Sequence, residues 1–333
     1  MKKLLFLAVI ISLIAASCIN DATFSTNKGD SKSSPLTLLK EENAAWKYEN
    51  LRLYPVVASA EVAEANANLK NLKTLSEAMQ TPGFRVMERK QFGRDGDAWY
   101  HGLTVQNKSQ DTVLMLSGDI VEGGNQDRVL AHHEVILPMT VRNVEVFCVE
   151  AGRSTYYDPS APAAEKEAAA FKGYYNIASP QVRRAVQNTG NQQEVWDAVA
   201  KVTKANNAES STKAYTALDN VSAEKARRDA YLSHLEGQFA TRQDVVGVVA
   251  VCGDHVLGID IFGNSDLFRR QYAGLLHGYV AEAAIAPNTV ALGEDQVEKA
   301  FEKVSKMIVP HAKTNEEAGK FTWGGSWVHL FGK

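Results

Sequence analysis

The sequence has few cysteines and none of the short motifs that mark the common enzyme classes. Only three cysteines occur in 333 residues, which excludes a disulfide scaffold, and no C-x-x-C spacing points to zinc or redox chemistry. The motifs G-x-x-x-x-G-K-[ST], G-x-G-x-x-G, G-x-S-x-G and H-E-x-x-H are absent. Their absence argues against nucleoside triphosphatases, dinucleotide enzymes, serine hydrolases and zinc proteases of those types. No Lys/Arg cluster is present, so we expect no nucleic-acid partner.

The one long apolar run stands at the start of the chain. Two lysines precede residues 4–14, which are too few to span a bilayer, and three small residues then precede Cys18. This pattern predicts a lipoprotein signal peptide over residues 1–17 with Cys18 lipidated, and the alternative is an ordinary signal cleaved near Ala16. Lipidation would attach the mature chain to a membrane of the cell envelope. Ile19 is not the aspartate that often marks inner-membrane retention, which slightly favours the outer membrane.

The rest of the chain divides by composition. Residues 18–43 are small and polar, which predicts a flexible tether. Residues 44–333 are long enough for one large core, and we expect a single α+β domain there. It comprises a strand-rich part (44–155), a helical insert (156–243), and a hairpin with helices (244–333). The predicted fold therefore has mostly antiparallel sheet sections at both ends, with the helical insert between them.

Local patterns support this division. The strand-like segments of the first part are separated by connections too short for crossover helices, such as the turn at 93–97, and this favours antiparallel pairing. Ser179 followed by Pro180, and Ser222 further on, predict helix starts. Two apolar strands flank Gly253 and Asp254, which predicts a two-residue hairpin.

Two groups could suggest metal or redox chemistry. His132 and His133 are neighbours on a predicted strand and would point to opposite faces, so they cannot chelate one ion together. We therefore predict no metal site, and no cofactor. Cys148 and Cys252 each lie in an apolar run, which is compatible either with a disulfide or with two buried thiols.

The segment SGDIVEGGNQDR holds the most unusual residues. Gly123 and Gly124 permit a tight reversal. Gln126, Asp127 and Arg128 then follow at the mouth of a hairpin. Such a loop could offer an amide, a carboxylate and a guanidinium to a phosphate or carboxylate ligand. The alternative is a plain turn held by a surface network of Asp127 and Arg128.

Glu150 ends an apolar strand face, which suggests an acid at the rim of the core. If Glu150 meets Arg128, the pair either locks the turn or forms the polar wall of a ligand pocket. In a hydrolase, Glu150 would act with Glu88 or Asp127 as a pair of catalytic carboxylates, and Arg128 would hold an anionic group.

Four motifs carry a family resemblance: LMLSGDIVEGGNQDR, VEVFCVEAGR, NQQEVW and VVGVVAVCGDHVLGIDIFGNSDLF. Together they resemble the bacterial ARG- and rhodanese-phosphatase-superfamily-associated protein domain family, over residues 51–283. Asp119 stands where the family pattern has Glu, and Ser154 stands where it has Trp. The pattern covers the following residues: Glu88, Gly118, Gly123, Gly124, Gln126, Arg128, Cys148, Val149, Glu150, Gly152, Trp196, Asp260 and Phe262.

The resemblance implies no established activity, and the family's association hints only at ADP-ribose or related metabolites. Our main hypothesis is a lipid-anchored envelope protein that binds a small anionic ligand, phosphorylated or ADP-ribose-like. A hydrolase acting on an ester, glycosidic or ADP-ribosyl bond is the first alternative. A structural envelope protein, with helices at 222–240 and 265–284 as a partner surface, is the second. The predicted ligand-binding residues are Gly123, Gly124, Gln126, Arg128 and Asp260, and the predicted catalytic residues are Glu150, Glu88 and Asp127.

Overall fold

The structure is a computed structural model, and it describes residues 34–88, 101–153, 171–220, 222–287 and 290–332. The predicted signal peptide and its Cys18, the predicted turn at 93–97, and Ser154 lie outside these ranges. Runs of consecutive strands are separated by helices along the described chain, and the predicted α+β fold is confirmed.

The described strands are β1 (Leu36–Leu38), β2 (Lys47–Tyr48), β3 (Leu51–Ala58), β4 (Lys73–Thr74), β5 (Phe84–Glu88), β6 (Gly102–Asn107), β7 (Val113–Met115), β8 (Asp119–Gly123), β9 (Arg128–Leu130), β10 (Glu134–Ile136), β11 (Thr140–Cys148), β12 (Phe171–Ile177), β13 (Val245–Cys252), β14 (His255–Phe262), β15 (Ala318–Trp323) and β16 (Ser326–Gly332). The described helices are α1 (Ala60–Ala65), α2 (Leu75–Met79), α3 (Pro180–Thr189), α4 (Gln192–Ala205), α5 (Ala223–Leu235), α6 (Ser265–Ala283) and α7 (Glu294–Ser305). A 3₁₀ turn, Tyr215–Asp219, lies in the connection between α4 and α5.

The largest described sheet joins the early and the late strands of the chain. Its order is β1-β3-β13-β14-β16-β15, with β2 also paired to β3, and every pair is antiparallel. The predicted hairpin at Gly253 and Asp254 forms its centre. The tether prediction is wrong at its C-terminal end, because Leu36 and Leu38 are buried and β1 pairs with β3. Alternating apolar residues in so short a strand give little signal against a polar background.

Two further sheets come from the strand-rich part. A six-stranded antiparallel sheet has the order β12-β8-β9-β11-β6-β5, and a smaller sheet has the order β10-β7-β4 with β4 and β7 parallel. The long strand β11 pairs with β6 through its first half and with β9 through its end. That change of partner places Cys148 opposite Arg128 and brings the end of β11 to the loop between β8 and β9.

Helices cover both faces of the largest sheet. The residues Phe268, Leu275 and Tyr279 of α6 belong to the core on one face, and Val297 and Phe301 of α7 pack on the other. Most of α6 is buried, which leaves little of this helix for the partner surface of the second alternative. No helix in the part of the chain that the structure describes has the length and hydropathy needed to cross a bilayer.

The predicted helix starts in the insert are confirmed. Pro180 occupies the first turn of α3 directly after Ser179, although the Ser179 side chain makes no capping hydrogen bond. The Ser222 hydroxyl accepts a hydrogen bond from the Lys225 amide at 3.0 Å and so caps α5. The insert packs against the β8–β9–β11 region through its own apolar cluster, and its connection between α4 and α5 reaches the end of β11.

Candidate functional site

The loop between β8 and β9 depends on two glycines. Gly123 and Gly124 have φ angles of 107° and 61°, which side chains disfavour. A Cβ on Gly124 would lie 2.6 Å from Phe171 Cζ and 2.7 Å from Glu88 Oε1. The absence of a side chain therefore lets the loop approach both residues, as the glycine pair in the sequence suggested.

Two of the predicted catalytic acids hold this loop from opposite sides. Glu88 Oε1 accepts a hydrogen bond from the Asn125 amide at 2.7 Å. Glu150 Oε2 accepts one from the Asp127 amide at 3.1 Å. Each carboxylate thus satisfies a backbone donor that would otherwise be buried without a partner.

Arg128 lies inside the protein and does not face solvent. Only 2% of it is exposed. Its Nη1 donates to Gln126 Oε1 at 3.1 Å and to the sulfur of Cys148, and its Nη2 lies 3.6 Å from Glu88 Oε2. Arg128 therefore does not meet Glu150, and neither of the two alternatives for that pair applies.

The partner of Glu150 is Arg153, which the sequence interpretation did not select. Its Nε and Nη2 donate to Glu150 Oε2 at 2.9 and 2.6 Å, and its Nη2 also donates to Asp127 Oδ1 at 3.2 Å. Its Nη1 donates to the Gly124 carbonyl at 2.7 Å. Arg153, Asp127 and Glu150, which we call the Arg153 cluster, thereby join the loop to the end of β11.

The two carboxyl groups of the Arg153 cluster have different electrostatic surroundings. Burial raises the pKa of Asp127, although the Gly123 amide and the Thr216 hydroxyl both donate to it. Burial also acts to raise the pKa of Glu150. The hydrogen bonds from Arg153 and the Asp127 amide outweigh that effect, so the pKa lies below its ordinary value. The neighbouring carboxylate in turn raises the pKa of Arg153.

The Arg153 cluster forms one wall of an open cleft of about 500 Å³. The other wall is the connection between α4 and α5, which contributes the hydroxyl groups of Ser210, Thr212 and Thr216. The acids Glu122 and Asp219 and the base Lys172 also line the cleft.

The connection is held against the end of β11 by backbone contacts. The Gly152 amide donates to the Thr212 carbonyl at 2.7 Å, and the Tyr215 amide donates to the Val149 carbonyl at 2.9 Å. A Cβ on Gly152 would lie 2.8 Å from Thr212 Cα, so a side chain there would separate the two walls.

Asp260 does not join the other predicted ligand-binding residues. It is fully buried, and its carboxylate accepts two hydrogen bonds from Arg183, at 2.8 and 2.9 Å. The Tyr279 hydroxyl also donates to it, and His329 Nε2 lies 3.0 Å away. Burial opposes ionisation, but Arg183 and His329 hold the pKa of Asp260 far below its usual range. The carboxylate therefore serves an internal ion pair and does not face the cleft.

His133 belongs to the same internal group, since its Nε2 lies 2.8 Å from His329 Nδ1. Its ring stacks on Phe321 and Phe331 with centroids 5.0 Å apart in each case. Across the described residues, no group of three or more His, Cys, Asp or Glu side chains is arranged to hold a metal ion.

Cys148 and Cys252 are both buried free thiols, which resolves the two alternatives left by the sequence. The backbone of Cys148 is paired with a side chain of the helical insert. Gln192 Nε2 donates to its carbonyl, and its amide donates to Gln192 Oε1, each at 2.8 Å. The side-chain amide of Gln192 thus makes the two backbone hydrogen bonds that a residue of a neighbouring strand would make with Cys148.

Comparison with known proteins identifies the family. The model of the ARG and Rhodanese-Phosphatase-superfamily-associated Protein domain matches residues 41–328. The chain belongs to this family. The match confirms the resemblance seen in the sequence motifs. No curated protein and no solved structure matches the chain.

Several residues of the family pattern have a physical role in this member. Gly118 has a φ of 97°, and a Cβ there would lie 2.8 Å from the Arg183 side chain. Phe262 stacks on His329 with ring centroids 4.5 Å apart. Asp119, which replaces the expected Glu, is fully buried and accepts a hydrogen bond from the Leu116 amide at 2.7 Å. The pattern therefore marks packing around the internal ion pair as well as the loop.

The sequence did not reveal the partners of Glu150, Asp260 and Cys148, which are Arg153, Arg183 and Gln192. Arg153 follows Glu150 by three residues, and a charged pair at that spacing next to a glycine was an available signal. Arg183 and Gln192 are remote in sequence from Asp260 and Cys148. No local pattern points to such pairs.

Proposed function

We propose that this chain is a lipid-anchored cell-envelope protein that binds a small polar ligand in the cleft beside the Arg153 cluster. The anchoring half of the proposal is supported by the signal-like residues 1–17 and by Cys18. The binding half is supported by one observation above all: an open cleft of about 500 Å³ whose wall is a hydrogen-bonded ionic cluster with two buried carboxylates. Pockets of this size with a few fixed polar groups are typical of small-molecule sites.

The charges of the cleft restrict the ligand. Four acids line it, whereas Arg153 and Lys172 are its only bases among the described residues, and Arg153 already pairs with Asp127 and Glu150. An anion without hydroxyl groups, such as inorganic phosphate, would meet more negative than positive groups, because Arg128 is buried. Hydroxyl groups suit the carboxylates and threonines as donors and acceptors. We therefore favour a ribose-bearing ligand of the ADP-ribose type, with Lys172 as the available contact for a phosphate.

A calorimetric titration and thermal-shift series with ADP-ribose, ribose and inorganic phosphate tests the binding half. We expect ADP-ribose to bind and to raise Tm, and phosphate alone to do neither. Lys172→Gln and Asn220→Ala, both at exposed cleft positions, should weaken binding without lowering the Tm of the free protein. Lys201→Gln, an exposed lysine on α4 outside the cleft, is the matched control. Binding that is unchanged in both cleft variants, or absent for all three probes, would contradict the proposal.

Mass spectrometry of the mature chain tests the anchoring half. We expect an N-terminal Cys18 that carries a thioether-linked diacylglycerol and an N-acyl chain, and loss of membrane association in Cys18→Ala. An unmodified mature N-terminus would refute this half and leave the cleft untouched.

One observation favours the hydrolase alternative. Asp127 and Glu150 both contact Nη2 of Arg153, yet burial raises the pKa of one carboxyl group and the arginine keeps the pKa of the other low. Carboxyl pairs separated in this way act as general acid and base in many hydrolases. Under this alternative, Asp127 would be the acid and Glu150 the base. Turnover of an ADP-ribosyl or glycosidic substrate that survives Glu150→Gln in a folded protein would exclude it.

A further inference from the structure

The turn between β10 and β11 exposes an apolar surface, which we call the apolar turn (residues 137–141). Leu137, Met139 and Val141 are 48%, 66% and 62% exposed. They are three of the five large apolar side chains that are exposed among the described residues. Single exposed apolar residues are common on protein surfaces, whereas contiguous exposed apolar patches mark interaction sites.

The backbone of the apolar turn is fixed by hydrogen bonds. Asn107 Nδ2 donates to the Leu137 carbonyl at 3.1 Å, and the Thr140 hydroxyl donates to the same oxygen at 2.7 Å. Met139 has a φ of 55°, a left-handed conformation that residues with side chains rarely adopt. These contacts hold the turn in a conformation that exposes its apolar side chains. The exposed side chains do not stabilise the core.

Two exposed bases lie beside the apolar turn. Val141 pairs across β11 and β6 with Gln106, which pairs across β5 with Arg85, so the three side chains lie on the same face of the sheet. Lys108 directly follows Asn107, the partner of Thr140 at the start of β11. Both Arg85 and Lys108 are exposed, and neither forms an ion pair with a residue that the structure describes.

An apolar tip with adjacent exposed bases is complementary to the surface of an anionic bilayer, where apolar groups enter the acyl boundary and bases contact phosphates. The proposed anchor would bring such a surface within reach. Ser34 lies 16 residues after Cys18, and that number of residues can span at most about 55 Å. The membrane would therefore be present at a high effective concentration.

We propose that the apolar turn inserts into the headgroup region of an anionic bilayer, with Arg85 and Lys108 on lipid phosphates. This inference rests on the proposed lipid anchor only for the closeness of the apolar turn to the membrane. It is tested on the mature chain with Cys18→Ser, which cannot be lipidated, by cosedimentation with phosphatidylcholine vesicles that contain or lack phosphatidylglycerol. We expect binding to the vesicles that contain phosphatidylglycerol and much weaker binding to the others.

Two variants separate the apolar and the charged contributions. Leu137→Ser with Met139→Ser and Val141→Ser should weaken binding at least about tenfold, because the inserted apolar area is lost. Arg85→Gln with Lys108→Gln should weaken binding to the phosphatidylglycerol vesicles by about fivefold for each base.

The matched control replaces the other two exposed valines, Val290→Ser with Val309→Ser, which are 87% and 54% exposed. This control should bind vesicles like the parent chain. The inference is overturned if the parent chain does not bind, if the apolar-turn variant binds equally well, or if that variant instead abolishes a dimer in solution. Mass spectrometry of Cys18 reports separately on the anchor, so the two failures are distinguishable.

Discussion

Replacing Arg153 with Gln removes a cation that Asp127 and Glu150 share. Only 4% and 5% of these two side chains are exposed, whereas 29% of the Arg153 side chain is exposed. Loss of one partner from a buried ion pair costs about 3–5 kcal/mol. Because solvent reaches Arg153 and replaces part of the lost interaction, we expect the free energy of unfolding to fall by about 2–4 kcal/mol at pH 7.

The loss should depend on pH. In the native chain the pKa of Glu150 lies below its ordinary value, so this group contributes stability above its unfolded pKa of about 4.3 and loses it as pH falls further. In Arg153→Gln the lost cation no longer opposes burial, and the pKa of Glu150 should rise above its unfolded value. The variant then takes up a proton as the pH falls towards 4, and the difference in stability between the two proteins should shrink.

Urea unfolding followed by circular dichroism at pH 7 and pH 4.5 measures both effects. Arg142→Gln is the matched control, because Arg142 pairs with Glu134 at 2.9 Å but 54% of its side chain is exposed. That surface pair should be worth about 1 kcal/mol or less. A loss in Arg153→Gln no larger than the loss in this control, or a loss independent of pH, would refute the assigned role of Arg153.

Three further changes follow from the same structure. Gly124→Ala should lower the free energy of unfolding by about 1–3 kcal/mol, because alanine disfavours a φ of 61° and its Cβ would lie within 2.7 Å of two atoms. Gly237→Ala is the control in the same urea assay and should be near neutral, because a Cβ there would meet no atom within 4 Å. Burial raises the pKa of Asp119 to about 7, so the native chain loses stability as pH rises from about 4 through 7. Asp119→Asn does not titrate and should therefore gain up to about 4 kcal/mol in free energy of unfolding relative to the native chain over that range. An equal difference between the two proteins at pH 4 and pH 8 would contradict this. Cys148 and Cys252 should react with a thiol reagent only after unfolding, since both are free and buried, and rapid reaction of the folded chain would show that they are accessible.

The parts of the fold that the sequence predicted are those that local contacts determine. The hairpin of β13 and β14 needs only two apolar strands and a two-residue turn, and its strands are adjacent in sequence. The pairing of β3 with β13 joins residues almost two hundred positions apart, such as Leu53 and Ala250. Periodicity describes the faces of a strand but not its neighbour, so the connection between the two ends of the chain could not be foreseen.

The same limit explains the outcome at the candidate site. The loop, its glycines and the two acids that hold it were selected from the sequence, because glycine pairs and charged residues at a turn are local signals. Arg128 was expected to face a ligand, but the short strand β9 is buried on both faces. The Arg128 side chain therefore pairs with Glu88 inside the protein. The arginine that pairs with Asp127 and Glu150 is instead Arg153, which follows the end of β11 and is 29% exposed.

The most direct test of the account is the location of ligand binding on the isotopically labelled chain, measured by amide chemical shifts during titration with ADP-ribose. We predict shifts at Gly123, Thr212 and Asn220 in the cleft beside the Arg153 cluster. Gly253 and Leu292 line a separate cleft of about 560 Å³ and should not shift. Shifts confined to that second cleft, or no shift at saturating ligand, would contradict the claim that the Arg153 cluster forms the wall of the binding site.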